Sequence, residues 1–151
     1  MTEESDQQQD QQPASTEKTS GRQLDYMLQD LVQLANMGFG FGVTLCIGGS
    51  LVSGTVVSGR KYVQSILDKT IGEGVKEGPL RDALTKRFSG YLDLYPESNT
   101  PIDESTPLPV FIHLSGAKFY SPGNSLSTPA DGVIWRGLIS DVSGFNFGTL
   151  S

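Results

Sequence analysis

The chain has 151 residues, a length that fits one domain and lets most of its apolar surface be buried without metals or disulfides. Its 17 acidic and 11 basic residues give a net charge of −6 at pH 7. The basic residues are scattered, whereas a phosphate backbone selects for clustered Lys and Arg, so the composition argues against nucleic acid as a ligand.

Residues 1–20 differ in composition from the rest of the chain. They are rich in Gln, Ser, Thr and acidic residues, lack aromatic residues, and carry −4 of the net charge through five acids and Lys18. This composition offers too little apolar surface to offset the entropy lost on ordering, so we predict a disordered acidic Gln-rich tail. Two roles stay open for the tail, solubilisation and weak interaction with itself or a partner. We expect residues 21–151 to form a single α+β domain.

Three features predict a cytosolic protein. The N-terminal residues lack the basic and apolar regions of a signal peptide. No window approaches the ~20 apolar residues of a membrane span, which argues against a lipid membrane as partner. The single Cys46 excludes an intramolecular disulfide, and its place in an apolar strand pattern predicts a buried small side chain.

A helix and a hairpin are predicted first along the chain. Apolar residues recur at spacings of three and four over residues 24–35, which is typical of an amphipathic helix. Residues 39–47 then alternate with period two, and Gly48-Gly49 predicts a tight turn into a second strand over residues 50–58. Gly54 lies inside this second strand and predicts a bend there.

Two further helices are predicted after the hairpin. Ser58 is a good cap for a helix whose apolar stripe runs over residues 62–71. The glycine-rich segment 72–78 ends this helix, and Pro79 suits the first turn of another that carries apolar residues between positions 80 and 92.

The rest of the chain is predicted to contain loops and strands. Residues 93–109 hold four prolines and four acids and predict an extended surface loop, and residues 121–131 predict a second flexible loop. Residues 133–140 alternate with period two, as a strand packed on at least one face requires. Ser143-Gly144 is expected to reverse the chain before a last strand over residues 145–149.

Few residues suggest a catalytic or ligand-binding role. His113 is the only histidine and lies in a strand pattern, so we expect a structural role, with a pH-dependent contact as the alternative. Adjacent acids at Asp103-Glu104 are expected to be solvated. Arg136 is expected on the opposite face from Trp135, with its stem on apolar surface and its head in water. We predict no catalytic residue, no metal site and no cofactor.

Three motifs resemble the gas vesicle accessory protein family GvpU. They are a Phe-Ile-His-Leu strand at 111–114, a Ser-Thr-Pro loop at 127–129 and a Trp-Arg-Gly strand at 135–137, within a match over roughly residues 38–151. The resemblance implies a non-enzymatic cytoplasmic accessory factor that associates with the gas vesicle shell or other gas vesicle proteins and affects vesicle assembly or clustering. The motif residues His113, Trp135, Arg136 and Gly137 are expected to be structural.

The order of elements predicts an α+β fold. We expect a small bent antiparallel sheet, or an SH3/Sm-like open barrel, with an N-terminal helix and two inserted helices on its outside. The alternative function is an Sm-like oligomeric or RNA-binding module unrelated to gas vesicles, which the acidic balance and the inserted helices disfavour. Self-association is compatible with either function.

Overall fold

The computed structural model describes residues 23–123 and 128–150, so the predicted tail at 1–20 and the middle of the predicted loop at 121–131 lie outside the described residues. The described residues form three α-helices and five strands, which in order are α1 (Tyr26–Asn36), β1 (Phe41–Ile47), β2 (Ser50–Val57), α2 (Gly59–Ser65), α3 (Pro79–Ser89), β3 (Phe111–Tyr120), β4 (Val133–Leu138) and β5 (Val142–Phe147). The predicted α+β class is confirmed.

Helix α1 begins at a side-chain cap and packs on the sheet. The Asp25 carboxylate accepts hydrogen bonds from the backbone N–H groups of Met27 at 2.9 Å and Leu28 at 3.3 Å, which satisfies two donors that a helix start leaves free. Most of the predicted apolar stripe is buried in the core that α1 shares with the strands, although Met27 is exposed. The buried members of the stripe are Leu28, Leu31, Val32 and Ala35.

The first two strands form the predicted hairpin. Gly48 and Gly49 connect them with φ of +57° and +82°, the backbone region that glycine enters without steric cost and that a tight hairpin turn requires. Ile47 therefore pairs with Ser50, and the antiparallel register continues to the pair Phe41 and Val56.

The sheet is antiparallel throughout and has the order β4-β3-β2-β1-β5. Strands β4 and β5 are therefore on opposite edges, although only the 3₁₀ turn Ile139–Asp141 separates them along the chain. Because three residues cannot cross a flat sheet of five strands, the sheet must curl until its edges approach each other. The edges do not pair, so the predicted bent, open sheet is confirmed.

Two of the register shifts in the sheet involve β3 and bend it. The register of β2 and β3 shifts between Ser53 and Thr55, around Gly54, and that of β3 and β4 shifts between Leu114 and Ala117. A Cβ atom on Gly54 would lie 2.9 Å from the carbonyl oxygen of Ser115. The close approach of the two backbones at the bend therefore explains why glycine stands there.

The predicted turn at Ser143-Gly144 is wrong. Both residues lie inside β5, where Gly144 pairs with Cys46 and the Ser143 hydroxyl donates to the Cys46 carbonyl at 3.1 Å. The chain changes direction earlier, at the turn whose Ile139 side chain is buried in the core. The predicted burial of Cys46 is also only partly correct, since its side chain is half-buried beside the register shift of β1 and β5.

The inserted helices begin at the predicted positions. The Ser58 hydroxyl accepts from the backbone N–H of Lys61 at 3.0 Å, and α2 continues as a π-helical turn over Ile66–Ile71. Helix α3 begins at Pro79, continues as a 3₁₀ turn over Gly90–Leu94, and buries none of its residues. Helix α2 contacts β3, so the insertion packs on the sheet mainly through α2.

We expect Gly54→Ala to lower the free energy of unfolding by about 1–3 kcal/mol, because the added methyl group would meet the backbone of β3. Gly144→Ala is the matched control within another strand, since its added Cβ meets no atom within 4 Å and its φ is not positive. Urea unfolding, monitored by circular dichroism, measures the free energy of unfolding of both variants. Equal effects of the two substitutions would contradict the close approach at Gly54.

Candidate functional site

A cleft of about 740 Å³ lies where α1, the start of β3 and the proline-rich segment (residues 93–109) meet. Helix α1 contributes Val32 and Asn36, and the β3–β4 pair contributes Phe111, His113 and Arg136. Four prolines of the proline-rich segment also line the cleft. The cleft thus has a mainly apolar wall and a polar pair of side chains from the sheet.

Both ends of the proline-rich segment are attached to helices. The Arg60 guanidinium on α2 donates to the carbonyl oxygens of Leu92 at 3.1 Å and Tyr95 at 3.4 Å, and lies 3.6 Å from the Glu97 carboxylate. At the other end, the Gln29 amide on α1 donates to the Pro109 carbonyl at 3.0 Å. These contacts fix where the segment leaves and rejoins the rest of the fold.

Asp103 has a local role in this segment. Its carboxylate accepts from the hydroxyl of Ser105 at 2.5 Å and from the backbone N–H of the same residue at 2.8 Å, closing a short turn. The Ser105 hydroxyl, followed by its N–H, lowers the pKa of Asp103 below its usual value. Both Asp103 and Glu104 are exposed, as expected for solvated acids.

His113 is the most unusual polar residue of the cleft. It is 1% exposed, and neither ring nitrogen has a hydrogen-bond partner in the described part of the chain. The Tyr62 ring lies at a centroid distance of 4.7 Å and the Tyr95 ring stands edge-on at 5.6 Å. A Cβ on Gly59 would overlap the Tyr95 ring, so glycine there leaves room for this aromatic cluster.

The His113 imidazole is neutral at pH 7. Burial, followed by the charge of Arg136, lowers its pKa from 6.5 to about 4, because both effects disfavour a second positive charge. A neutral imidazole carries one N–H donor and one acceptor nitrogen. His113 therefore presents one donor and one acceptor with no partner among the described residues.

Arg136 lies beside His113. The two residues are direct partners in the register of β3 and β4, so their side chains share one face of the sheet. The Arg136 guanidinium carbon lies 3.6 Å from the centroid of the Phe111 ring, a cation–π contact. Arg136 is exposed and forms no ion pair within the described ranges.

Trp135 and Gly137 do not belong to this cleft. They occupy the other face of β4, where the half-buried Trp135 packs against the core. A Cβ on Gly137 would overlap the Trp135 indole, so the ring lies directly over the glycine. The four motif residues therefore form two groups, His113 with Arg136 at the cleft and Trp135 with Gly137 toward the core.

Sequence reasoning missed the aromatic partners of the site. Tyr95 lies in a loop and contacts His113, and Phe111 begins a strand and contacts Arg136, but neither position carries a local signal of its contact. The pairing of His113 and Arg136 also depends on strand register, which the loop between β3 and β4 does not reveal. A strand histidine flanked only by apolar residues was the one available sign of an unpaired imidazole.

Two properties of the described residues bear on the class of protein. No group of three or more His, Cys, Asp or Glu side chains that could hold a metal ion occurs there. None of the described helices has the length and apolar character needed to cross a membrane.

A bent open sheet with an N-terminal helix, a helical insertion and the cleft described above defines a small α+β protein. A family model described as "Gas vesicle protein GvpU-like" matches residues 25–150. The chain therefore belongs to the GvpU-like family of gas vesicle proteins, and the resemblance found in its motifs is confirmed. No curated protein and no solved structure matches the chain.

The stability of the protein should fall as the pH is lowered from 7 toward 4. The pKa of His113 is lower in the folded chain than in the unfolded chain, so the unfolded chain binds the extra proton first as the pH falls. A shift from 6.5 to about 4 corresponds to about 3 kcal/mol, present in full above pH 6.5 and lost as pH falls toward 4.

The apolar variant His113→Leu isolates the contribution of His113 to the pH dependence of stability, because carboxyl groups titrate equally in both proteins. Urea unfolding at several pH values should give a shallower pH dependence for the variant than for the unchanged chain. Identical slopes would mean that His113 is not held neutral by the fold.

Gly137→Ala should displace the Trp135 ring. The new methyl group would occupy the position of the indole, so the ring must move toward water and the free energy of unfolding should fall by about 1–3 kcal/mol. Trp135 is the only tryptophan, so a shift of its fluorescence emission to longer wavelength reports the displacement directly. Gly144→Ala serves as control, and an unchanged emission spectrum of the Gly137 variant would refute the ring placement.

Proposed function

We propose that this protein is a non-enzymatic, cytoplasmic accessory protein that associates with the gas vesicle shell and affects the assembly or clustering of gas vesicles. The family match over residues 25–150 carries this proposal. Within the described residues, the chemistry of the cleft also supports a contact function, since its one histidine, one arginine and loop carboxylates supply no activated nucleophile.

The surface offers several apolar side chains for contact with another protein. Among the described residues, six large apolar side chains are more than half exposed, and they come from α1, α3 and β5, from loops and from the 3₁₀ turn after α3. They are Tyr26, Phe39, Leu80, Leu94, Leu108 and Phe147. Exposed apolar and aromatic side chains are enriched at protein interfaces, which supports association by direct protein–protein contact.

The sheet supports a second element of the proposal, contact between copies of the protein. Within the part of the chain that the structure describes, strands β4 and β5 each pair on one side only, so each leaves a row of backbone donors and acceptors along an open edge. Unpaired strand edges are templates for pairing with another chain. In this proposal, copies bound to different vesicles associate with each other and bring the vesicles together.

Co-flotation tests the proposal. Purified protein is mixed with isolated gas vesicles and centrifuged, and the buoyant layer is compared with the liquid beneath it over a series of salt concentrations. We expect the full-length chain to float with the vesicles. A chain starting at Gly21 separates the two possible contact regions, since loss of flotation on truncation assigns the contact to residues 1–20.

Two controls sharpen the result. Sedimentation velocity of the protein without vesicles measures its self-association and identifies aggregates. Vesicles mixed with an unrelated acidic protein of similar charge measure non-specific flotation. Recovery of the protein only beneath the vesicles at every salt concentration would end the proposal of direct binding, and oligomeric state and RNA binding would then be measured.

A further inference from the structure

We propose that the cleft is a binding site for a small monocarboxylic acid with an apolar body. In this assignment the carboxylate contacts Arg136 and His113, and the apolar body lies between α1 and the proline-rich segment. This inference goes beyond the proposed function and does not depend on it, because it rests on the contacts of the cleft alone.

Both ring nitrogens of His113 are buried without a hydrogen-bond partner among the described residues. Buried polar groups in folded proteins nearly always have a hydrogen-bond partner, and an exception calls for an explanation such as an absent ligand. His113 is 1% exposed, lines the cleft, and leaves both ring nitrogens without a partner among the described residues. A ligand oxygen at the floor of the cleft would accept the one N–H of the neutral ring.

Arg136 supplies the charge. Its guanidinium is directly opposite His113 in the strand register and has no carboxylate partner in the described ranges. The contact with Phe111 occupies one flat face of the guanidinium, whereas its N–H donors point outward within the plane. A carboxylate matches these donors with two parallel hydrogen bonds, so Arg136 and His113 together form a fitting pair of donors.

The acids around the cleft limit the charge of the ligand. Asp93 and Asp103 also line it, although the Asp103 carboxylate is occupied by Ser105. Because one guanidinium and two carboxylates line the same cleft, a ligand with one negative charge is favoured over a dicarboxylate or a phosphate, whose further charge would meet repulsion. The electrostatics thus select a monocarboxylate.

The walls select an apolar body. Apolar side chains of α1, of the proline-rich segment and of the residue that follows it line the cleft, and they include Val32, Leu94, Ile102 and Val110. Clefts that hold small molecules measure ~300–1,000 Å³ and are mostly apolar with a few placed polar groups, and the value of about 740 Å³ falls within this range. A chain of medium length such as octanoate fits this description.

Calorimetric titration of the full-length protein with octanoate is the experiment. Octanamide, which keeps the shape without the charge, and suberate, which adds a second carboxylate, are the comparison ligands. We expect octanoate to bind at least about tenfold more tightly than either, because only octanoate satisfies Arg136 without repulsion. Absence of octanoate binding up to about 10 mM, or equal binding of octanamide, would overturn the proposal.

Two variants locate the site. Arg136→Gln removes the charge at the cleft, and Arg81→Gln is the matched control, since it removes an arginine on α3 that pairs with Glu77 away from the cleft. Octanoate affinity should fall about tenfold or more in the first variant and stay unchanged in the second. Equal losses in both variants would reject the assignment of Arg136.

The single histidine gives an independent readout. In ¹H–¹⁵N NMR spectra, the ring nitrogens of His113 should shift on addition of octanoate, and the assignment is unambiguous because the chain has one His. Binding that leaves these signals unchanged would place the ligand elsewhere and overturn the proposal. This measurement uses the unsubstituted chain, so it does not depend on the folding of any His113 variant.

Discussion

The connection between β4 and β5 constrains the whole structure. Two strands separated by a turn of three residues occupy opposite edges of a five-stranded sheet, so the sheet can exist only in a strongly curled form. The bend at Gly54 and the register shifts of β3 supply that curl. The curl also creates the concave face that α1 fills, and it carries the Ile139 side chain into the core beside α1.

Local sequence signals predicted the elements better than their arrangement. The Gly48-Gly49 turn, the Ser58 cap and the Pro79 start depend on neighbouring residues alone, and each lies where its chemistry indicated. The turn expected at Ser143-Gly144 was wrong because its dipeptide is turn-like by composition, whereas the pairing of β5 with β1 holds it extended. That pairing joins distant segments, and no local pattern specifies it.

For the candidate site as well, the sequence predicted individual residues better than their arrangement. His113 and Arg136 were identified as residues of interest from the sequence, but their position side by side follows from the register of β3 and β4. The burial of His113 among Tyr62 and Tyr95 depends on how the insertion folds back over β3. The cleft forms where a helix, a loop and the sheet meet, so it is a property of the tertiary fold. The sequence therefore pointed to individual residues of the cleft but did not predict that they lie together.

The pairing of β1 with β5 also has a consequence for folding kinetics. The Thr44 hydroxyl donates to the carbonyl oxygen of Gly148, 104 positions later in the sequence. Strand β5 can therefore pair with β1 only after a very long loop has been ordered. The β1–β2 hairpin can form early, since its contacts are local. Until β5 pairs with β1, the outer edge of β1 stays unpaired, and an unpaired edge of this kind is a template for pairing with another chain.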